Sequence, residues 1–213
     1  MNGDAQMSDQ TVPATSAATD AFAPEHSARP WLIVVDPQRI FADPASDWAS
    51  PFFTDAFTNI KRLAAAFGDR VIVTRWLPTA DRTTAWGDYF AQWTFADVAP
   101  DDPLYDLVPE ALDLSPHPTI DEPTFGKWTL ALQDLVGDGA RLVVTGVSTD
   151  CCVITTALAA ADAGAWVSVP TDAVAHSTAE NGAAALHTMS LFEPQLTLTT
   201  TDDLLERLAT DTR

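Results

Sequence analysis

The chain has 213 residues, a formal net charge of −19 and a pI near 4.1, and 46% of its residues are hydrophobic. This length suits one domain with a substantial core, and no apolar run approaches the roughly 18 residues that a membrane span needs. The strong negative charge disfavours binding to nucleic acid or to an anionic membrane surface, because like charges repel. The polar, acidic start MNGDAQMSDQ lacks the features of a secretory signal, so we expect a cytoplasmic protein.

Residues 1–28 are rich in Ala, Thr, Ser, Asp and Pro without a hydrophobic period, which predicts a disordered tail before a single domain at 29–213. From there, apolar segments typical of strands alternate with amphipathic helical patterns. The predicted strands are 31–36, 70–76, 118–121, 141–147, 165–170 and 195–200, and the predicted helices are 54–67, 128–137, 151–163, 179–191 and 202–209. The pattern indicates a three-layer α/β fold, with a doubly wound, mainly parallel sheet of about six strands and helices on both faces.

Ligands of open parallel sheets bind outside the carboxyl ends of the strands, so the residues that follow each predicted strand are the candidates for a site. These residues are Asp36, Trp76, Leu77, Glu122, the segment 146–152, Thr171 and Asp172. The segment 77–117 is longer than an ordinary connection and carries several aromatic residues. Insertions of this length often form lids or oligomer contacts.

Two adjacent cysteines, Cys151 and Cys152, lie where the strand of VVTGVSTDCCVITTALAAADAG passes into a helix. Free cysteines most often pack as small hydrophobic residues, and neighbours in sequence are poorly placed to form a disulfide with each other. A thiol at a helix N-terminus, however, faces the positive end of the helix dipole and unpaired backbone N–H groups, which lower its pKa and offer an oxyanion site. These residues alone leave both interpretations open.

The segment GVSTDCCV resembles the nucleophile segment of the isochorismatase-like cysteine hydrolases, a superfamily that includes nicotinamidases and carbamoylsarcosine amidases. Their pattern is Gly-Val-x-Thr-x-x-Cys-Val, and the resemblance covers roughly residues 31–200. It implies that Cys152 is the nucleophile and that Cys151 packs beside it. It also implies a cis peptide bond between Val147 and Ser148, with an oxyanion hole formed by the N–H groups of Ser148 and Cys152.

The segment LIVVDPQRIFAD resembles the first strand and Asp-x-Gln motif of the same family, which implies that Asp36 is the general base. The structural alternative is that Asp36 caps the loop after the strand, with Gln38 as a loop anchor. The segment VPTDAVAHS resembles the family's loop after the nucleophile helix, where Asp172 would help to shape the site.

The third catalytic residue of the family is a lysine that directly follows the strand before the nucleophile strand, and this chain has Glu122 there. A glutamate beside Asp36 would raise the pKa of that carboxyl group, which is the opposite of what a lysine does. Lys127 is the candidate replacement, because the other lysine, Lys61, lies in a predicted surface helix. The alternative is that Lys127 is a solvated charge at the start of the next helix.

The segment after the second strand, TRWLPTADRTTAW, lacks the histidine of the Asp-x-His motif with which the family's nicotinamidases bind a divalent ion. We therefore expect no metal and no cofactor, and nicotinamidase activity is disfavoured. Aromatic side chains predict a pocket for a flat or apolar substrate, although each one alone could equally serve core or dimer packing. The predicted pocket residues are Phe41, Trp48, Trp86, Trp93, Phe125 and Trp128.

The resemblance predicts a hydrolase that cleaves a C–N bond of a small-molecule amide through a thioester on Cys152. One alternative is a vinyl-ether hydrolase of the isochorismatase type, which needs no cysteine nucleophile, so Cys152 argues against it. A second alternative is a catalytically silent, homo-oligomeric binding protein of the same fold. The family resemblance also implies a homodimer or homotetramer.

Overall fold

The computed structural model describes residues 29–211, and the tail predicted for residues 1–28 lies outside them. Within the described residues, seven strands form one parallel sheet. The strands are β1 Trp31–Val35, β2 Val71–Trp76, β3 Ile120–Glu122, β4 Arg141–Val147, β5 Trp166–Pro170, β6 Val174–Ala175 and β7 Leu196–Thr199. Their order is β3-β2-β1-β4-β5-β7, and the short β6 lies beside the end of β4.

Helices cover both faces of this sheet. They are α1 Arg39–Ala42, α2 Phe53–Phe67, α3 Ala85–Gln92, α4 Leu130–Val136, α5 Ile154–Asp162, α6 Ala179–Ser190 and α7 Thr201–Asp211. In the central strand β1, Leu32 and Val34 pack in the core beneath α2 and α7, whereas Ile33 and Val35 pack in the core beneath α4, α5 and α6. The doubly wound α/β fold expected from the sequence is therefore confirmed.

A glycine allows the two central strands to approach closely beside the candidate site. Gly146, near the end of β4, pairs with Val35 of β1 and has a φ of 106°. A Cβ atom at this position would lie 2.1 Å from the carbonyl oxygen of Val35, so no other residue fits. The residues that follow the two strands, Asp36 and Ser148, consequently leave the sheet side by side.

The structure adds elements that the sequence pattern did not reveal. The segment 77–117 contains the eight-residue helix α3 and the 3₁₀ turns Thr94–Ala96, Pro103–Tyr105 and Pro109–Ala111, although the pattern predicted an irregular region. The helix predicted from residue 151 begins instead with a wide, π-type turn over Thr149–Val153, and α5 follows at Ile154. The strand β6 has only two residues, too few to show any periodicity.

None of the helices in the described part of the chain combines the length and the apolarity that crossing a membrane requires.

Candidate active site

Asp36 is the first residue after β1, and its side chain is completely buried. Its φ of 48° turns the chain out of the strand, a backbone conformation that aspartate tolerates better than most residues do. The hydroxyl of Thr74, on the neighbouring strand β2, donates to Asp36 Oδ1 at 2.6 Å and accepts from the Asp36 N–H at 3.2 Å. These two bonds fix the direction of the carboxyl group.

Lys127 lies against this carboxyl group and is also completely buried. Its Nζ is 3.3 Å from Asp36 Oδ2 and donates to the carbonyl oxygen of Thr124 at 2.6 Å. Its backbone N–H donates to the hydroxyl of Thr156 in α5 at 2.9 Å. The structure therefore brings Lys127 beside Asp36, and the alternative of a solvated surface charge is wrong.

Glu122, which occupies the family's lysine position, is held away from Asp36 by a hydrogen bond. Its Oε1 accepts from the hydroxyl of Thr129 at 2.7 Å, at the start of α4. The charged group that lowers the pKa of Asp36 is Lys127. The repulsion between Glu122 and Asp36 that the sequence suggested is thus avoided by the direction of the glutamate side chain.

Cys152 lies in the wide turn after β4, with 3% of its surface exposed. Its thiol interacts with the Asp36 carboxyl group and with the thiol of Cys151, which is more exposed. The hydroxyl of Thr156 donates to the Cys152 carbonyl at 2.6 Å while accepting from the Lys127 N–H. Thr156 therefore joins the loop that carries the lysine to the turn that carries the cysteine.

The environment of these buried groups changes their proton affinities. Burial raises the pKa of Asp36, although Lys127 and the hydrogen bond from Thr74 oppose the rise. The hydrogen bond with Cys151, then burial and the negative charge of Asp36, raise the pKa of Cys152, whereas the same thiol–thiol hydrogen bond lowers the pKa of Cys151. The expectation of a lowered Cys152 pKa is wrong for the free protein, because the hydrogen bond with Cys151, burial and the charge of Asp36 together raise it.

The peptide bond between Val147 and Ser148 is cis, as the family resemblance implied. The carbonyl oxygen of Ser148 accepts from the N–H groups of Cys151 and Val153, each at 3.0 Å, which defines the wide turn around Cys152. The turn therefore carries the thiol of Cys152 and the two N–H groups predicted for the oxyanion hole within five consecutive residues, 148–152.

Asp150 anchors this turn, a role that the sequence reasoning missed. Its Oδ1 accepts from the Ser148 hydroxyl at 2.7 Å and from the Ser177 N–H at 2.9 Å, and its Oδ2 accepts from the Ser177 hydroxyl at 2.6 Å. Burial raises its pKa, but the hydrogen bonds from Ser177 and Ser148 prevail and the pKa is lowered. The carboxylate thus ties the turn at Thr149–Val153 to the loop before α6.

Two other candidate residues serve the scaffold. Gln38 is completely buried, where its side chain donates to the carbonyl oxygens of Trp76 and Tyr105 and accepts from the Trp76 N–H. This matches the role of loop anchor. Asp172, which the resemblance placed at the site, is exposed and accepts from the N–H and hydroxyl of Thr201 at the start of α7, so its assignment to the site is wrong.

An aromatic cluster lies at the same edge of the sheet, and we call it the aromatic cover. Its members are Phe41, Trp48, Trp76, Trp86, Tyr89, Phe90, Trp93, Phe95 and Phe125. Tyr89 joins its two halves, with ring centroids 5.8 Å from Trp48 and 5.6 Å from Phe125. Five of the six predicted pocket residues belong to the cover, whereas Trp128 packs against the core beneath α4 and α5.

Across residues 29–211, no group of three or more His, Cys, Asp or Glu side chains is arranged to hold a metal ion. The segment after β2, where the Asp-x-His motif would lie, contains no histidine. Leu77 follows Trp76, and Arg75 forms an ion pair with Asp121 of the edge strand β3.

A comparison with protein-family models matches residues 30–203 to the isochorismatase domain. Solved structures with the same fold include a cysteine hydrolase from Pseudomonas syringae pv. phaseolicola 1448A, with 20% identity, coverage of 85% of this chain and 93% of that one, and a TM-score of 0.69. An isochorismatase-like hydrolase from Alkaliphilus metalliredigens has 18% identity, coverage of 84% and 99%, and a TM-score of 0.68.

The zinc complex of a pyrazinamidase from Pyrococcus horikoshii has 23% identity, coverage of 81% and 99%, and a TM-score of 0.62. A search of curated proteins finds no match. The similarity to the solved structures concerns the fold, whereas the family model spans most of the sequence. The chain therefore belongs to the isochorismatase family of hydrolases.

Proposed function

We propose that this protein is a cysteine hydrolase that cleaves the C–N bond of a small-molecule amide. The observation that carries the proposal is the meeting of three side chains from separate loops, Asp36, Lys127 and Cys152, at the carboxyl edge of the sheet. Burying an ion pair is costly, so a completely buried pair beside a thiol is more readily explained by chemistry than by stability.

In the first half of the reaction, Asp36 accepts the Cys152 proton as the sulfur attacks the amide carbon. The raised pKa of Asp36 makes its carboxylate a stronger base. Its pKa is therefore closer to that of a thiol, which favours the proton transfer. The raised pKa of Cys152 means that the resting sulfur is a thiol, so proton transfer accompanies the attack. Lys127 limits the accumulation of negative charge, because it lowers the pKa of both groups.

The N–H groups of Ser148 and Cys152 are proposed to bind the oxyanion of the tetrahedral intermediate. The anchoring of Ser148 by Asp150 supports this role, because an oxyanion hole works only when its donors are held in place. The intermediate collapses when the C–N bond breaks and Asp36 returns its proton to the departing ammonia or amine. The acyl group then remains on Cys152 as a thioester.

In the second half, Asp36 accepts a proton from a water molecule that attacks the thioester carbon. The C–S bond breaks, the acid leaves, and the proton returns to the sulfur of Cys152. The overall reaction consumes one amide and one water and yields one acid and one ammonia or amine. No step requires a metal or a redox cofactor.

Ammonia release from a panel of primary amides and ureido compounds tests this proposal directly. The wild-type protein is expected to hydrolyse at least one compound, Cys152→Ala to lose activity, and Lys127→Ala to lower kcat by at least about 100-fold. Cys151→Ala is the matched control, because it removes the neighbouring thiol and is expected to keep most of the activity.

Full activity of Cys152→Ala or of Lys127→Ala would contradict the mechanism. If the wild-type protein released no ammonia from any amide, a binding role or vinyl-ether hydrolysis would be favoured instead.

A further inference from the structure

Tyr89 is the residue of the aromatic cover whose phenol interacts electrostatically with the two cysteines. Its ring centroid is 5.3 Å from that of Trp86 and 5.6 Å from that of Phe125, which precedes Lys127 by two residues. Burial raises the pKa of Tyr89, and negative charge on Cys151 and Cys152 raises it further. The phenol is therefore within electrostatic reach of both cysteines and remains an O–H donor at neutral pH.

The hydroxyl of Tyr89 forms no hydrogen bond with the described residues, 29–211. The only other tyrosine of the chain, Tyr105, is buried, and its hydroxyl donates to the carbonyl oxygen of Ala96. The two tyrosines thus differ in a way that bears on function. One hydroxyl is used by the fold, and the other, on the half-buried Tyr89, is free to bind water or a ligand.

Two cations close to the candidate site or to the aromatic cover already have partners. Lys127 is paired with Asp36, and Arg82, which stacks on Phe90 at 4.1 Å, is paired with Asp97. Arg75 alternates with Thr74 and Trp76 along β2, so its side chain points to the opposite face. Neither these residues nor the acidic Asp150 offers a free positive charge to hold a carboxylate on a substrate.

Cys152 is 3% exposed, so a substrate reaches its sulfur only when neighbouring side chains move. Trp86 and Tyr89 both lie on α3, and Phe125 lies on the loop that carries Lys127. The ring centroids of Trp86 and Phe125 are 4.9 Å apart. The planar part of a substrate can insert between these rings and replace the contact that they make with each other.

We propose that Tyr89 determines substrate specificity, because its hydroxyl donates a hydrogen bond to an acceptor on the body of a neutral, planar amide held against Trp86 and Phe125. This inference rests on the amide hydrolysis proposed above. It predicts that activity depends on an acceptor atom outside the amide group that is cleaved.

The test compares pairs of nearly isosteric benzamides in the full-length protein. Methoxybenzamide carries an ether oxygen where ethylbenzamide carries a methylene group, and both the meta and the para isomers are assayed by ammonia release. The wild-type protein is expected to favour at least one methoxy compound over its ethyl partner by about fivefold to tenfold in kcat/KM, the value of one neutral hydrogen bond. Tyr89→Phe is expected to reduce this ratio to about one by slowing only the methoxy compound.

Tyr105→Phe is the matched control, since it removes the structural hydroxyl and is expected to leave the ratio unchanged. Equal preference of wild-type protein and Tyr89→Phe for the methoxy compound would overturn the inference, as would a wild-type preference for ethyl over methoxy in both isomers. Hydrolysis of other primary amides but of none of these four would also overturn the inference, and the proposed function would stand. A failure to release ammonia from any amide or ureido compound of the panel would overturn both.

Discussion

Replacement of Lys127 by methionine is the perturbation whose consequences the structure defines most sharply. Both Lys127 and Asp36 are completely buried, and Nζ is 3.3 Å from Oδ2. At this distance the attraction between the two charges is about 5 kcal/mol for an effective dielectric constant of about 20. Lys127→Met leaves the Asp36 carboxylate buried without its cation, and we expect a loss of about 3–5 kcal/mol in the free energy of unfolding at pH 8.

This loss is expected to depend on pH in a defined direction. The folded-state pKa of Asp36 is already raised, and removal of Lys127 takes away a charge that lowers it. A carboxyl group with a raised pKa binds its proton more tightly when folded, so stability falls as the pH rises from the unfolded value, about 4, to the folded value. The difference between wild type and Lys127→Met should therefore shrink as the pH is lowered from 8 to 5.

The double variant Asp36→Asn with Lys127→Met provides the control, because it removes both charges. We expect it to recover most of the lost stability while remaining inactive, since well-packed neutral residues often replace a buried ion pair without cost. Urea unfolding followed by tryptophan fluorescence at pH 5 and pH 8 measures all three proteins. An unchanged stability of Lys127→Met at pH 8, or a double variant no more stable than Lys127→Met, would refute the reasoning.

Three further predictions concern the turn at Thr149–Val153 and the oligomeric state of the protein. Iodoacetamide is expected to alkylate Cys151 faster than Cys152 in the free protein at neutral pH, because Cys151 is more exposed and its pKa is lowered, and equal rates in peptide mass spectrometry would contradict this. Asp150→Ala removes three hydrogen bonds and is expected to lower kcat by at least about tenfold and the unfolding free energy by about 1–3 kcal/mol, with partial recovery in Asp150→Asn; an unchanged kcat would argue against the anchoring role. Light scattering is expected to show a homodimer or homotetramer, in which exposed apolar side chains such as Leu130 and Leu191 could be covered, and a monomer would refute this.

The sequence predicted the fold well because strands buried on both faces produce continuous apolar segments. The strands β1 and β4 were predicted correctly for this reason, since nearly all of their residues are buried. The pattern fails for β6, which is too short to show a period. It also missed α3, although Trp86, Tyr89 and Phe90 recur at the i, i+3 and i+4 spacing of one helical face, because the helix has only eight residues within a long connection. These elements depend on contacts between distant segments.

The residues of the candidate site also fall into two groups, those that local sequence motifs indicate and those that depend on the tertiary fold. Local motifs located Asp36, which directly follows the buried strand β1, and Cys152, which lies in the turn after the buried strand β4. The position of Lys127 could be argued only by elimination, since its approach to Asp36 depends on how the loop after β3 folds back over Thr156. The raised pKa of Cys152 has one local cause, the hydrogen bond with its neighbour Cys151, and two causes that depend on the tertiary fold, namely burial and the charge of Asp36.

The most direct test of the proposed mechanism is the mass of the protein during turnover. A substrate found by ammonia release is mixed with the full-length protein, the reaction is quenched in acid within the first turnovers, and the protein is digested and sequenced by mass spectrometry. We predict an acyl group bound to the sulfur of Cys152, present in wild type and Cys151→Ala and absent in Cys152→Ala. Turnover in Cys152→Ala, or an acyl group on Cys151 in place of Cys152, would contradict the proposed mechanism.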